Sequence, residues 1–275
     1  MVGETPNLAA RLQGIAQPNQ LVLPGETHRL LGGAFELQSL GAQDLKGIGA
    51  AVEAFVVVGE TSQESRFAAR QTGTLTPIVG REREIELMLE RWAMAHARKG
   101  QMVIVSGEAG IGKSRIIQAV IDAVAKDEHV RMTYQCSPYH ADSAFYPVTQ
   151  QLAFAAGFAP SDSADARLDK LEALLGKEPA TLKLIAALMG LDGTVRYGAL
   201  DLSPAQQRAQ TMQALAKLLV RQAAQKPVLL VYEDLHWIDP TSLELLEILL
   251  DAIADQPIMI LATARPTFEY GFGGH

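Results

Sequence analysis

The residues best equipped for chemistry stand together in Gly107-Glu108-Ala109-Gly110-Ile111-Gly112-Lys113-Ser114, followed at once by Arg115. Three glycines in six positions let the backbone curl so that successive N–H groups point at one centre. A short apolar run, Met102-Val-Ile-Val105, comes before this stretch. After it, Ile116, Ile117, Val120, Ile121 and Val124 recur at helical spacing. The pattern predicts a strand, a loop and a helix running from Lys113 to about Ala125. A helix N-terminus adds unsatisfied donors and partial positive charge. The chemistry implied is the grip of a polyphosphate. Lys113 reaches its outer phosphates and the Ser114 hydroxyl ligates a cation, so the expected cofactors are ATP and Mg²⁺.

A second station lies about 120 residues on, in Val228-Leu-Leu-Val-Tyr-Glu233-Asp234. An apolar strand ending in paired acids can hold Mg²⁺ and orient a water nucleophile. Glu233 is assigned the metal and Asp234 the water, and the two roles can be exchanged. Arg265 closes Thr263-Ala-Arg265 after a last apolar run, Ile258-Met-Ile-Leu-Ala262. There it is either a sensor of the γ-phosphate or a solvated loop residue.

The elements that must position these residues alternate. Short, wholly apolar strands are separated by helices, which indicates an α/β fold: a parallel sheet covered on both faces. Asp239-Pro240 is a good helix start, and Leu243, Leu246, Leu249, Leu250 and Ile253 mark the apolar face of that helix. The α/β block is expected over 76–275. Before it, 59–75 is polar and aperiodic and reads as a linker. The first block, 1–58, ends in the apolar strand Ala54-Phe-Val-Val-Val58.

Composition bounds the rest. Hydrophobic residues make up 48% and charged residues 20%, an ordinary globular balance. The formal net charge of −7, without clustered lysine or arginine, gives no footprint for nucleic acid or an anionic membrane. No apolar run reaches the ~18–20 residues of a spanning helix, so a cytoplasmic location is expected. The single cysteine, Cys136, excludes an internal disulfide and is expected to be a buried thiol.

The second block resembles the P-loop ATPase domain of the large bacterial signalling ATPases related to the AAA superfamily, of the STAND type. Four segments carry the resemblance: Val79-Gly80-Arg81-Glu82-Arg83-Glu84, the glycine loop, Glu233-Asp234-Leu-His-Trp237 and Thr263-Ala-Arg265. It implies that Gly80 and Arg81 lie on the base side of the nucleotide. His140 and His236 are expected to be structural rather than catalytic. Glu233 stands where the family commonly has Asp. In the sequence given, which closes on Phe272-Gly-Gly-His275, the family's helical lid, winged helix and repeat domains are expected to be absent.

The first block resembles the C-terminal third of a class III nucleotidyl cyclase domain. The resemblance rests on Val2-Gly-Glu-Thr-Pro-Asn7-Leu-Ala-Ala-Arg11-Leu12, Leu21-Val-Leu-Pro-Gly25 and Leu45-Lys46-Gly47. It implies that Asn7 orients a ribose, Arg11 stabilises transition-state charge and Lys46 contacts a phosphate. From the residues alone, Asn7 is a helix cap and Arg11 a surface residue. The family's metal-binding aspartates belong N-terminal to this segment, and a complete site forms between two such domains.

The expectation is therefore a fragment of a cyclase–ATPase signalling protein that binds ATP, hydrolyses it slowly and switches conformation. A homodimer or larger oligomer through either domain is the expected assembly. The alternatives are a nucleotidyl cyclase, as the activity of a longer parent, and an ATP-binding module that does not hydrolyse.

Overall fold

The computed structural model describes residues 4–31, 35–60 and 78–269. Most of the expected linker, the first three residues and the closing Phe272 to His275 lie outside them. The chain divides into two compact units, Met1–Leu75 and Thr76–His275.

In the first unit, α1 (Glu4–Gln13) is followed by β1 (Val22–Pro24) and α2 (Gly25–Leu31), then β2 (Phe35–Gln43) and β3 (Val52–Glu60). The strands form an antiparallel sheet in the order β1-β3-β2, with Val22 opposite Val56 and Gln43 opposite Val52. Leu12 of α1 packs with Leu45 and Ala54, flanked by Leu8, Ile15, Val22, Ile48 and Val52. Asn7 is not a helix cap, because α1 already begins at Glu4. Pro6 stands in the first turn, where its missing N–H has no intrahelical partner to lose.

In the second unit, α3 (Glu82–His96) leads into β4 (Gln101–Ser106), α4 (Lys113–Val124) and β5 (Val130–Gln135). Five helices follow: α5 (Tyr146–Ala155), α6 (Ala164–Leu175), α7 (Pro179–Leu188), α8 (Thr194–Tyr197) and α9 (Pro204–Ala223). Next come β6 (Val228–Glu233), a 3₁₀ turn (Leu235–Trp237), α10 (Pro240–Ile253) and β7 (Ile258–Ala264). The sheet is parallel throughout, in the order β4-β7-β6-β5. The α/β class expected from the strand pattern is what the chain adopts.

Both faces of the central strands β6 and β7 are buried, which is why they read as apolar runs. Leu229 and Val231 pack with Met259 and Leu261 against α3 and α4, through Met88, Trp92, Ile116, Ile117 and Val120. Leu230 and Tyr232 face the other way with Ile260 and Ala262, against Leu245, Leu246 and Leu249 of α10. The phase of α10 differs slightly from the leucine pattern: Leu245 is fully buried, while Leu243 and Leu250 are half-buried. Asp239 caps this helix as expected, its side chain accepting from the Ser242 N–H. Cys136 is buried just past β5. No helix among the described residues is long and apolar enough to cross a membrane.

Gly100 sits where the chain enters β4 and donates its N–H to the Ala254 carbonyl at 3.0 Å. A Cβ at this position would overlap the Ile253 carbonyl oxygen and lie 2.7 Å from its carbon. Backbone on both sides of the clash leaves nothing flexible to move aside. Gly100→Ala should therefore destabilise the second unit by roughly 1–3 kcal/mol. Gly49→Ala, where a Cβ meets nothing within 4 Å, serves as the control and should leave the urea midpoint unchanged.

Candidate functional site

The glycine loop lies between β4 and α4 as the spacing predicts. Gly110 and Gly112 have φ of 81° and 100°, the left-handed region where a Cβ is strained. Gly112 occupies the N-cap position of α4 and offers no side chain to its first turn. The uncapped N–H groups are thus left facing the loop. Lys113 curls back over it, donating from Nζ to the carbonyls of Gly107 (2.7 Å) and Glu108 (2.9 Å). Ser114 is exposed in the same first turn, and Arg115 is half-buried behind it.

The carboxylates reach the same edge from β6. Glu233 is the last residue of that strand, level with Gln135 of β5 and one step past the Tyr232–Ala262 pair. Asp234 turns the chain sharply, with φ 56° and ψ 48°. Its N–H donates to Thr263 Oγ1 at 2.9 Å. On the other side of β7, the Gly107 N–H donates to the Ala264 carbonyl at 3.3 Å. With neighbouring strands ~4.8 Å apart, β4 and β6 are separated by roughly 10 Å. That gap accommodates a phosphate and a cation between the loop and the acids.

The fit for Mg²⁺ follows from the donors present. Ser114, in the first turn of α4, would offer a hydroxyl, and Glu233, at the end of β6, a carboxylate. No cluster of three acidic, histidine or cysteine side chains suited to a metal occurs among the described residues. A hard cation bound here would draw its remaining oxygens from nucleotide and water, as Mg²⁺ characteristically does.

Arg265 leaves the end of β7 exposed, its guanidinium carbon 5.2 Å from the centre of the Trp237 ring. Trp237 in turn meets His236 at 4.3 Å, the rings tilted by 44°. Burial lowers the pKa of His236 below its ordinary value, the Asp234 carboxylate opposes that shift, and the charges of Arg265 and Lys113 reinforce it. His236, expected from the sequence to be structural rather than catalytic, stands on the acid-bearing turn in contact with Trp237.

Gly80 and Arg81 head α3, which packs against α4, β4 and β7. Gly80 has φ 75° and its N–H donates to Glu82 Oε1 at 3.0 Å, while Arg81 pairs with Glu84 at 2.8 Å. The neighbouring Val79 is 83% exposed, an apolar surface beside a polar turn. His140 stacks on Tyr146, ring centres 3.8 Å apart and 8° from parallel, in keeping with a structural role. In the first unit, Asn7 and Arg11 are both exposed on α1. A Cβ on Gly47 would lie 4.0 Å from the Arg11 guanidinium, so Arg11 stands beside the Lys46-Gly47 turn.

Two long-range contacts had no signal in the sequence. Thr263, noted there only as part of Thr263-Ala-Arg265, anchors the acid-bearing turn by accepting from the Asp234 N–H. Asp239, besides capping α10, accepts from the Phe145 N–H at 3.1 Å and so ties the segment after β5 to the segment after β6. That pairing spans 94 residues and has no local signature.

A sheet in this order, with a glycine loop on one strand and paired acids two strands away, defines a P-loop nucleotide-binding domain. The sequence profile of the AAA ATPase domain matches residues 77–261, and the chain belongs to that family. It is also 29% identical, over 275 residues, to an uncharacterised protein of Rhizobium meliloti (strain 1021). The match covers 98% of this chain but 26% of that protein, so the chain spans about a quarter of its relative's length. Among solved structures, Drosophila ORC bound to GC-rich DNA and Cdc6 is similar at 12% identity and a TM-score of 0.27. That likeness covers 70% of this chain and 55% of the other, and is too slight to carry an argument.

Thr263→Val keeps the shape of the side chain but removes the acceptor for the Asp234 N–H. The left-handed turn then loses a hydrogen bond worth about 1 kcal/mol. The variant should stay folded by circular dichroism, with its urea midpoint slightly lowered. Any nucleotide hydrolysis should fall, because the acids are no longer held in place.

Proposed function

We propose that the chain is the ATP-binding and ATP-hydrolysing part of a longer signalling protein, in which the bound nucleotide sets a conformational state. The observation that carries this is the meeting of two halves at one sheet edge. The uncapped start of α4 with Lys113 lies on one side, and Glu233 with Asp234 on the other, both fastened to the end of β7. The AAA ATPase domain match supports ATP as the nucleotide and Mg²⁺ as its companion.

In this reading Lys113 exchanges the Gly107 and Glu108 carbonyls for β- and γ-phosphate oxygens. The loop N–H groups hold the same phosphates, and Ser114 and Glu233 hold the cation. Mg²⁺, held there by Ser114 and Glu233, would supply charge neutralisation for the phosphates. Asp234, fixed in its sharp turn, orients the attacking water. Arg265 approaches the outer phosphate from the end of β7, and Gly80 and Arg81 lie on the base side. Positioning and electrostatic stabilisation account for most of the work in such a transfer.

Lys113→Ala should abolish ATP binding while leaving the fold intact; titration with nucleotide checks this, and equal affinities would remove the loop from the site. Glu233→Gln should weaken Mg²⁺-dependent binding. Asp234→Asn should spare binding and slow turnover, since a group acting only in the transition state lowers kcat without raising KM. The reverse pattern would exchange the two roles. A purely binding module would instead hold ATP with no phosphate release from the wild-type chain.

A second reading concerns residues 1–58, as part of a nucleotidyl cyclase domain. Its support is the exposed Asn7 and Arg11 on α1, with Arg11 beside the Lys46-Gly47 turn. The acids of this segment, Glu4, Glu26, Glu36, Asp44 and Glu53, match no metal position of that family, and cyclisation needs carboxylates for two ions. This chain alone should therefore make no cyclic AMP or cyclic GMP from Mg²⁺ or Mn²⁺ nucleotides. Cyclase activity lost on Arg11→Ala would overturn that boundary.

A further inference from the structure

His236 has no task in the scheme above, yet its surroundings are unusual. Both ring nitrogens are buried and lack a hydrogen-bond partner among the described residues. At least one of them carries a hydrogen at any pH, so an N–H donor stands unsatisfied in the interior. Such a group is costly and calls for an explanation. Packing supplies a neighbour in Trp237 but no acceptor.

The position of the ring suggests the missing partner. The 3₁₀ turn that carries it is fastened to the end of β7 at two places: the Asp234 N–H on Thr263, and Trp237 beneath Arg265. His236 lies between those fastenings. The Arg265 guanidinium stands over the adjoining Trp237 ring, Asp234 precedes the histidine by two residues, and Lys113 curls over the glycine loop that is fastened to the same end of β7. In the phosphate-loop reading, Lys113 and Arg265 are the two cations assigned to the outer phosphate. A polyphosphate held by the loop would bring oxygen acceptors into the region where the imidazole has none.

We propose that His236 is a nucleotide-contacting residue that donates a ring N–H to the terminal phosphate and so distinguishes ATP from ADP. The inference rests on the phosphate-loop reading above and adds to it a discriminating contact. Trp237 is the matching positioning residue, fixing the imidazole on one side and Arg265 on the other. The contact needs only a ring N–H, which the neutral and the charged imidazole both possess.

The test measures equilibrium affinities for Mg-ATP and Mg-ADP on the 275-residue chain, for wild type, His236→Ala, His236→Asn and His236→Gln. Thermal unfolding is followed for each. In His236→Ala, ADP affinity should stay within about twofold, while ATP affinity falls roughly tenfold, the usual scale for a hydrogen bond to a charged group. Asn or Gln, which present an amide N–H from a shorter or longer arm, should recover part of the loss. ATP and ADP weakening together, or neither changing, would overturn the proposal. If the alanine variant does not fold, the amide pair decides: weakened ATP affinity with ADP affinity unchanged in either variant supports the contact, and joint weakening, or no change in both, overturns it. A wild-type chain that binds neither nucleotide would remove the phosphate-loop reading itself, which is a different result from unchanged discrimination.

Discussion

Two consecutive residues at the end of β7 hold both halves of the site. Ala264 accepts from the Gly107 N–H on one side, and Thr263 accepts from the Asp234 N–H on the other. Each bond contributes only about 1 kcal/mol to stability. Their value is geometric, because β7 lies between β4 and β6 and is buried along its whole length. A strand buried on both faces cannot shift without disturbing the packing on each. The loop and the acids therefore share one rigid reference, and the gap between them is set by strand spacing rather than by loop chance.

Burial of both faces also decides where chemistry can occur. Helices cover the centre of the sheet above and below, and three left-handed residues, Gly110, Gly112 and Asp234, stand just past the carboxyl ends of β4 and β6. Gly112 makes its turn without strain. Asp234, which has a side chain, makes the same kind of turn at a cost and is held in it by Thr263. Strained backbone of this kind persists where surrounding contacts over-determine it. The acidic pair is thus presented by the sheet rather than left to a mobile loop.

Much of this was legible in the sequence because it is local. The glycine spacing, the helical repeat after Lys113, the apolar strands and the Asp239-Pro240 start each lie within a short window. The unreadable parts are those that join distant segments. Thr263 meets Asp234 across 29 residues and Asp239 meets Phe145 across 94. Neither pairing leaves a periodic trace. The same limit explains His236, whose surroundings come from three separate strand ends. It explains Asn7 differently: its residue type suits a cap, yet the helix starts three residues earlier, where Leu8 and Leu12 can reach the small core around Ala54.

The chain has two tryptophans, and the fold sends them to very different places. Trp92 is buried on the α3 side of the sheet, its indole N–H donating to Asp127 at 2.9 Å. Trp237 stands on the acid-bearing turn beneath Arg265. One indole is enclosed in the core and serves as an internal standard. The other lies beneath the Arg265 guanidinium at the carboxyl end of β7, so movement of that group would alter its emission. The protein thus carries its own optical reporter of the site, and Trp92→Phe would isolate the signal without introducing a foreign dye.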